Sequence, residues 1–317
     1  MQGFLNINKP AGMTSHDVVS VIRRIMQTKR VGHGGTLDPD AQGVLVVAVG
    51  TATRALQYLE QWPKIYCAQL ELGSATDTQD SSGQKTMFRE DLFSISRAQL
   101  LAVLDGFLGH SEQIPPMYSA IKIGGQKLYE AARRGVIIER QPRPIKIESI
   151  TLLDQGDTWG PGARISIRVT CSPGTYIRTL CHDIGIKLGC YAHMTHLLRE
   201  RSGIFRVEDA VPLDLLRDAL QPATAASSAA ATAVSTAAAN HLIDINEALA
   251  HLPAVRLSAN LSKRVLHGNA VKLGERISGR CRLQDAEGKI LAIAESREIG
   301  PDGVTVSPIC VFSAPEE

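Results

Sequence analysis

Residues 32–49 read Gly-His-Gly-Gly-Thr-Leu-Asp-Pro-Asp-Ala-Gln-Gly-Val-Leu-Val-Val-Ala-Val, a glycine-rich loop that runs into an apolar segment. An apolar run of this length between turn residues is typical of a strand buried on both faces of a sheet. Glycines permit tight turns, and Pro39 holds the preceding Asp38 in an extended conformation. The segment predicts a carboxylate presented on a rigid loop at the edge of the core. An alternative stays open, in which Asp38 only bonds local backbone groups in an Asx turn.

Capping and alternation patterns around this loop predict helices and strands in an irregular order. Residues Tyr66–Leu72 alternate apolar and polar side chains, as a half-buried strand does. Capping boxes begin helices at Thr14 and at Ser96, and the second of these helices is expected to run to Gly109. Thr51 is a third candidate N-cap. Because strands and helices do not follow a regular βαβ repeat, the predicted fold class is α+β rather than a doubly wound sheet.

The chain divides by composition into three parts. Its 317 residues are long enough for two domains. Residues 1–221 are predicted to form one compact block. Residues 222–240, which consist mostly of Ala, Ser and Thr, lack the apolar stripe that docks a helix and are predicted to be a linker or insertion. Residues 241–317 are predicted to form a small β domain, with a hairpin around Asp285–Gly288.

Composition excludes several classes of protein. With 44% hydrophobic and 21% charged residues, the chain is not a disordered, collagenous or coiled-coil protein. No segment approaches the ~18 apolar residues of a membrane span, and the N-terminus does not resemble a signal peptide, so we expect a cytoplasmic protein with no membrane partner. The six cysteines form no Cys-x-x-Cys pair and are expected to be buried thiols. A net charge of +2 does not decide the partner.

Other chemistries fit the sequence poorly. A phosphate-binding loop would need lysine and a hydroxyl residue where the chain has Val44 and Leu45. A glycosidase needs two opposed carboxylates, and Asp40 is very close to Asp38 in sequence. A metal site is the remaining rival, with ligands at helical spacing. Its candidate ligands are Cys190, His193 and His196. Core thiols and surface histidines explain these residues better, so no metal is predicted.

A second informative segment is Gly174–Thr179, where Arg178 stands at the expected start of a helix. The N-terminal end of a helix favours anions, so an arginine there needs an explanation. A carboxylate that reaches the same place would provide one, and Asp38 is a candidate. The alternative is a surface arginine without a function.

A basic tract covers residues of about 116–146. Its basic residues include Lys122, Lys127, Arg133, Arg134 and Arg143. Tyrosines and glycines are interleaved with these charges. Basic and aromatic side chains on a flexible backbone suit RNA phosphates and unstacked bases. The tract is therefore predicted to grip RNA, and an ordinary solvated loop is the alternative.

Four motifs follow one another along residues 3–205. They are Gly3–Ser15, with Asn8-Lys9-Pro10 at its centre, Gly32–Pro39, Tyr66 in its strand, and Gly174–Arg178. In their order and spacing they resemble the TruB family of bacterial tRNA pseudouridine-55 synthases. The resemblance implies a mixed, largely antiparallel sheet with flanking helices in a catalytic domain, followed by a small PUA-like RNA-binding domain. It also implies the isomerisation of uridine 55 in the tRNA T-loop on a flipped-out nucleotide, without a cofactor.

The resemblance also assigns roles to individual residues. Asp38 matches the nucleophilic carboxylate, Arg178 the arginine that pairs with it, and Tyr66 the tyrosine that stacks on the uracil. The residues matched to substrate contacts are Lys9, His33, Asp80, Tyr176 and Leu197. Two positions depart from the family pattern, because Gly34 stands where a threonine is expected and Leu198 where an arginine is frequent. The expected partner is the T-arm of tRNA, bound by a monomer that needs no protein partner.

Two other functions stay open at this point. One is a non-catalytic RNA-binding protein or tRNA-folding chaperone on the same scaffold, and the intact Asp38, Tyr66 and Arg178 argue against it as the sole role. The other is a synthase that acts on another RNA. The lack of long basic extensions for a guide-RNA complex argues against that function.

Overall fold

The computed structural model describes residues 1–59, 61–119, 121–132, 134–218, 238–274, 277–300 and 303–312. Arg133 and residues 222–237 of the predicted linker lie outside these ranges. The chain forms two compact units, which we call the first unit and the second unit. The first unit comprises Met1–Pro39, Val44–Gln61 and Ile204–Glu317, and the second comprises Asp40–Gly43 and Trp62–Gly203. The domain boundaries at 221 and 241 stay a prediction.

Short strands and short helices follow one another along the described residues. The strands are β1 (Gly3–Lys9), β2 (Val31–Gly34), β3 (Gln42–Val49), β4 (Lys64–Leu72), β5 (Ser74–Thr76), β6 (Lys85–Phe88), β7 (Ile95–Ser96), β8 (Gly109–Gln113), β9 (Lys122–Ile123), β10 (Gln126–Lys127), β11 (Arg143–Leu152), β12 (Thr158–Trp159), β13 (Arg164–Cys171), β14 (Ala192–Ser202), β15 (Phe205–Arg206), β16 (Val211–Pro212), β17 (Ala254–Arg256), β18 (Val271–Leu273), β19 (Arg280–Gln284), β20 (Ile290–Gly300) and β21 (Gly303–Val311). The helices are α1 (Ser15–Ile25), α2 (Leu56–Leu59), α3 (Arg97–Asp105), α4 (Leu128–Ala132), α5 (Ile177–Lys187), α6 (Leu213–Asp218), α7 (Ile245–Ala248) and α8 (Ala259–Leu266), with a 3₁₀ helix at Gly50–Ala55. Within the described ranges, no helix combines the length and apolar character needed to span a bilayer.

In the first unit, sheet strands bracket the loop that carries Asp38. Strands β16, β1 and β3 are neighbours, and β2 pairs antiparallel with β3. Residues 44–49 of β3 are at most 2% exposed, which confirms the predicted strand buried on both faces. Helix α1 begins at the predicted capping box, because Thr14 Oγ1 accepts from Asp17 N at 3.1 Å and Asp17 Oδ2 accepts from Thr14 N at 2.9 Å. Asp38 lies between β2 and β3.

The C-terminal part of the first unit contains its own five-stranded sheet, ordered β17-β19-β20-β21-β18. The predicted hairpin is confirmed, with Leu283 of β19 opposite Ala292 of β20. Helix α8 was not expected in a region whose sequence suggests strands alone. Ser258 occupies its N-cap position without a side-chain cap bond, and the helix is stabilised because Leu261 and Val265, four residues apart, pack on the core of this sheet.

The second unit is built on an antiparallel sheet ordered β14-β4-β13-β11-β8. Strand β4 alternates buried and half-buried residues, as the pattern from Tyr66 to Leu72 predicts. Helix α3 begins at the capping box of Ser96 and Gln99. It ends at Asp105, earlier than expected, because Gly106 caps it and Gly109 already opens β8. The predicted fold class, a mixed and largely antiparallel α+β fold, is confirmed.

The six cysteines are free thiols, and all except the half-buried Cys67 are buried. Burial raises the pKa of Cys171 to about 11 and that of Cys181 to about 12. Thiols with such pKa values stay protonated at neutral pH and are poor nucleophiles. The expectation of buried thiols is therefore confirmed for five of the six positions.

Gly43 joins the Asp38 loop to β3 in a conformation that needs glycine. Its φ is +96°, and a Cβ there would overlap the carbonyl oxygen of Arg199 and lie 2.8 Å from Leu198 Cδ1. Gly43→Ala should therefore lower the free energy of unfolding by at least about 2 kcal/mol more than Gly162→Ala does. Gly162 is a matched control, because its φ is +75° and a Cβ would meet no atom within 4 Å. Equal costs in denaturant titrations would contradict this close approach.

Candidate active site

The turn that carries Asp38 is held on both sides of that residue. Ser15 Oγ accepts from Leu37 N at 2.9 Å and lies 3.1 Å from Leu37 O. On the other side, the Lys9 ammonium donates to Pro39 O at 2.8 Å. The Asp38 side chain itself is half-buried. The carboxylate is thus presented from a backbone that is fixed before and after it, as the sequence predicts.

Lys9 is fully buried, at 0% exposure. Besides Pro39 O, its Nζ donates to Pro10 O at 2.8 Å and to Met13 O at 2.5 Å. Gly12 N also donates to Pro39 O, at 3.0 Å. A buried ammonium is stable only where such acceptors surround it. The described contacts of Lys9 therefore tie the turn after β1 to the Asp38 loop, and its predicted place in the substrate cleft stays a prediction.

His33 lies on β2, where it pairs in register with Val47 of β3. Its side chain is half-buried. Position 34, where the family pattern has threonine, is a buried glycine whose Cβ would lie 3.3 Å from Leu56 Cδ2. A larger residue would have to displace that leucine. The gap-filling role assigned to His33 stays a prediction.

In the second unit, Arg178 is a buried cation at the start of α5, with 3% exposure. Its Nη1 donates to Thr78 O at 3.0 Å, and its Nη2 donates to Tyr118 O at 2.9 Å. Nη1 also lies 3.5 Å from Asp80 Oδ2. A carboxylate therefore does meet the arginine at this helix end, and it belongs to Asp80. The pairing of Arg178 with Asp38 stays a prediction.

Asp80 is fixed by its own loop. Its Oδ1 accepts from Thr78 Oγ1 at 2.7 Å, from Ser82 N at 3.0 Å and from Ser82 Oγ at 2.5 Å. Its other oxygen, Oδ2, is the one that faces Arg178. Sequence reasoning missed Thr78 and Ser82 as supports of this carboxylate. The cluster of Thr, Asp and Ser residues in this segment, which favours Asx-type turns, is the signal that could have indicated them.

Tyr66 and Leu197 lie on one face of the second unit's sheet. Tyr66 of β4 is opposite Arg199 of β14, and Ala68 is opposite Leu197. Alternate residues of paired strands share a face, so the tyrosine and the leucine are diagonal neighbours. Their side chains are 7% and 6% exposed. The structure thus brings together the predicted stacking tyrosine and the predicted apolar wall.

Tyr176 is the N-cap residue of α5. Its backbone N–H donates to Gln113 Oε1 at 2.8 Å, and its carbonyl accepts from Gln113 Nε2 at 3.0 Å. A single glutamine from β8 therefore satisfies both backbone groups at the start of the helix. This bridge fixes the backbone of Tyr176, which lies two residues before Arg178.

The basic tract begins with a small hairpin. Lys122 of β9 pairs in register with Lys127 of β10, across a turn in which Gly124 and Gly125 have φ of +59° and +84°. The side chains of Lys122, Arg134 and Arg143 are exposed. The predicted role of Arg133 falls on a residue outside the described ranges. Exposed cations in this arrangement are suited to phosphate contacts, and the role of each stays a prediction.

The candidate ligands of the rival metal site do not share a helix. His193 and His196 are in β14, and the strand has an irregularity between Met194 and His196. The expectation of surface histidines is wrong for His193, which is buried with its Nδ1 3.0 Å from Ser74 O, whereas His196 is exposed as expected. The expectation that these residues have helical spacing, on which the metal site depends, is therefore wrong. Across the described parts of the chain, no three His, Cys, Asp or Glu side chains are grouped closely enough to hold a metal ion.

Three family profiles match successive parts of the chain. They are the N-terminal domain of the TruB family of pseudouridylate synthases at residues 23–177, the C-terminal domain of tRNA pseudouridylate synthase B at 178–250, and the C-terminal part of pseudouridine synthase II TruB at 253–308. The tRNA pseudouridine synthase B of Syntrophomonas wolfei is 41% identical, with 100% of both chains covered. The protein of the same name from Bacillus subtilis is 42% identical over 88% of this chain and 86% of its own.

Solved structures agree with these matches. A Cbf5-Nop10-Gar1 complex contains a chain that is 28% identical, with a TM-score of 0.71 over 98% of this chain and 85% of that one. An H/ACA RNP bound to a substrate RNA containing 2'-deoxyuridine gives 26% identity and a TM-score of 0.70 over 98% and 85%. The full-length identity to the bacterial relatives, together with the pseudouridine synthase fold, shows that this chain belongs to the TruB family of pseudouridylate synthases.

Proposed function

We propose that the protein converts uridine 55 in the T-loop of tRNA to pseudouridine. The names of its relatives support tRNA as the substrate. In this isomerisation the bond between uracil N1 and ribose C1′ breaks, the uracil turns, and a bond forms between C5 and C1′; C5 gives up a proton to solvent and N1 takes one up. The base and sugar keep all their other atoms, so the overall conversion consumes no cofactor.

The anchored Asp38 carboxylate is the observation that carries this proposal. A nucleophile is most effective when its position is fixed before the substrate arrives. Bonds from Ser15 and Lys9 fix the backbone on either side of Asp38. A carboxylate so placed can attack carbon directly, stabilise positive charge at ribose C1′ or assist deprotonation of the sugar. We propose that Asp38 performs one of these steps, and all three routes are compatible with the loop.

The other site residues have proposed roles that follow from their chemistry. The ring of Tyr66 is suited to stack on the target uracil, and Leu197 beside it on the sheet supplies an apolar wall. The target must leave its stack before it can be reached, at a cost of a few kcal/mol. We propose that His33 fills the space that the flipped nucleotide leaves in the RNA. We propose that Arg178 pairs with the reacting carboxylate and orients it.

Release of tritium from C5 tests the proposed function. Unmodified tRNA that carries uridine labelled at C5 should release about one equivalent of tritium per tRNA when the enzyme is added. A tRNA in which cytidine replaces uridine 55 should release none. Equal release from both RNAs would show that another uridine is the target, and release from neither would exclude the reaction on tRNA.

Salt dependence tests the basic tract as an RNA-gripping segment. Removing one cation that binds a phosphate should flatten the log–log dependence of tRNA affinity on salt by about 0.7–0.9. Arg134→Ala combined with Arg143→Ala should therefore lower the slope by about 1.4–1.8, with little change in the single-turnover rate at saturation. Arg164→Ala removes an exposed arginine outside the tract and is the control. An unchanged slope in the double variant would place RNA recognition elsewhere.

Chelation tests the proposal that no metal takes part. Because the Asp38 carboxylate and the target uracil supply the reactive groups, activity should survive exhaustive treatment with a chelator, provided that the tRNA is folded beforehand. The measurement is the single-turnover rate before and after treatment. A chelated enzyme that recovers only when zinc is added would contradict the proposed chemistry.

A further inference from the structure

Two consecutive residues of helix α5 hold a three-residue segment of the loop that carries Asp80. Arg178 Nη1 donates to Thr78 O at 3.0 Å and lies 3.5 Å from Asp80 Oδ2. The next residue, Thr179, donates from its Oγ1 to Gln79 Oε1 at 2.7 Å. In sequence, Gln79 thus lies between Thr78 and Asp80, the two residues of this loop that Arg178 contacts.

Gln79 is held in an unusual conformation. Its φ is +65°, in the left-handed region that costs a side chain-bearing residue about 1 kcal/mol or more. Its carbonyl accepts from Met194 N at 3.0 Å, and its N–H donates to Thr76 O at 3.2 Å. Its side chain meets Thr179, which is only 4% exposed. A buried hydroxyl needs an acceptor, so this bond is costly to remove.

The lengths of these contacts indicate which of them fixes the position of Asp80 relative to helix α5. Charge-assisted hydrogen bonds from arginine to carboxylate are about 2.7–2.9 Å long, whereas Arg178 and Asp80 are 3.5 Å apart. That pair alone does not fix the carboxylate against the guanidinium. The short bond between Thr179 and Gln79 does connect the helix directly to the residue before Asp80.

We propose that the Thr179–Gln79 hydrogen bond is a positioning device, which sets where Asp80 stands relative to Arg178 during the reaction. The inference rests on the proposed function, because Arg178 and Asp80 matter only if this site acts on the uridine. Thr179 and Gln79 are positioning residues, since they act through their neighbours. Their removal should slow the chemical step and leave RNA binding intact.

Thr179→Val tests this role, because valine keeps the shape and removes the hydroxyl. The single-turnover rate on saturating tRNA should fall about tenfold, as expected when a buried hydrogen bond is removed, while the Kd for tRNA stays within about twofold. Thr179→Ser, which keeps the donor, should restore most of the rate. Thr195→Val is a matched control, because Thr195 Oγ1 donates to Gln69 Oε1 at 3.1 Å in the same unit. It should leave the rate unchanged.

Gln79→Leu removes the acceptor from the other side and guards against a folding defect in one variant. It should reproduce the slower rate, and the double variant with Thr179→Val should be no slower than either single variant. A wild-type rate in Thr179→Val, or an equal loss in Thr195→Val, would overturn the inference. If the wild-type enzyme forms no pseudouridine, the proposed function fails instead, so the two failures are distinguishable.

Discussion

Asp38→Asn should reduce pseudouridine formation by about a thousandfold or more, the scale of loss seen when a nucleophile is removed. The amide has the same shape as the carboxylate, and the bonds to Leu37 and Pro39 that hold the loop involve Ser15 and Lys9. The fold and the loop should therefore persist while the charge and the nucleophile are removed. The measurement is the single-turnover rate on tRNA at saturating enzyme.

Asp40→Asn is the matched control for this change. Asp40 is an exposed carboxylate two residues further along the same loop, so its amide variant removes the same charge from nearly the same place. It should retain the wild-type rate. Asp38→Asn should also bind tRNA within about tenfold of wild type, since uncharged contacts and phosphate contacts are preserved. A rate within about tenfold of wild type in Asp38→Asn would remove that residue from the central role.

Arg178→Lys should lower the single-turnover rate by about a hundredfold. The planar guanidinium donates from two nitrogens to Thr78 O and Tyr118 O and faces Asp80 as well. An ammonium is a single point of charge on a flexible stem and cannot reproduce that fork. Because charge is conserved, a loss of rate would report the geometry of the cation rather than its presence.

Arg168→Lys supplies the control for a generic arginine effect. Arg168 forms a two-point contact with Glu200 at 2.7 and 2.9 Å on the surface of the same sheet. Exposed ion pairs contribute little to stability, so the rate and the unfolding midpoint should stay near wild type. A wild-type rate in Arg178→Lys, or equal losses in both variants, would contradict the role given to the Arg178 fork.

Much of the fold could be predicted because its signals are local. The capping boxes at Thr14 and Ser96 and the apolar run of β3 depend on residues a few positions apart. Thr51 is where local reasoning is wrong. The 3₁₀ helix at Gly50–Ala55 has Val49 at its N-cap and no side-chain cap bond. The Thr51 hydroxyl bonds the Gln2 side chain instead, a distant partner that no local pattern indicates.

The candidate site likewise contains residues that local motifs indicate and contacts between distant residues that they do not. Motif matching indicates Asp38 and Arg178, because their neighbours carry distinctive glycine and proline patterns, and it indicates Tyr66 by its place in an alternating strand. It does not indicate that Lys9 is fully buried and anchors the Asp38 loop. Nor does it indicate the bond between Thr179 and Gln79, whose partners are 100 positions apart in sequence. Contacts of that kind arise only when the sheet and helix α5 assemble.

Mapping pseudouridine at single-nucleotide resolution in tRNA from cells that lack this protein tests the central claim most directly. The tRNA should carry unmodified uridine at position 55 and keep its other pseudouridines. The wild-type protein should restore the modification at that position, and the Asp38→Asn variant should not. Pseudouridine that persists at position 55 without the protein, or that returns with Asp38→Asn, would contradict the account.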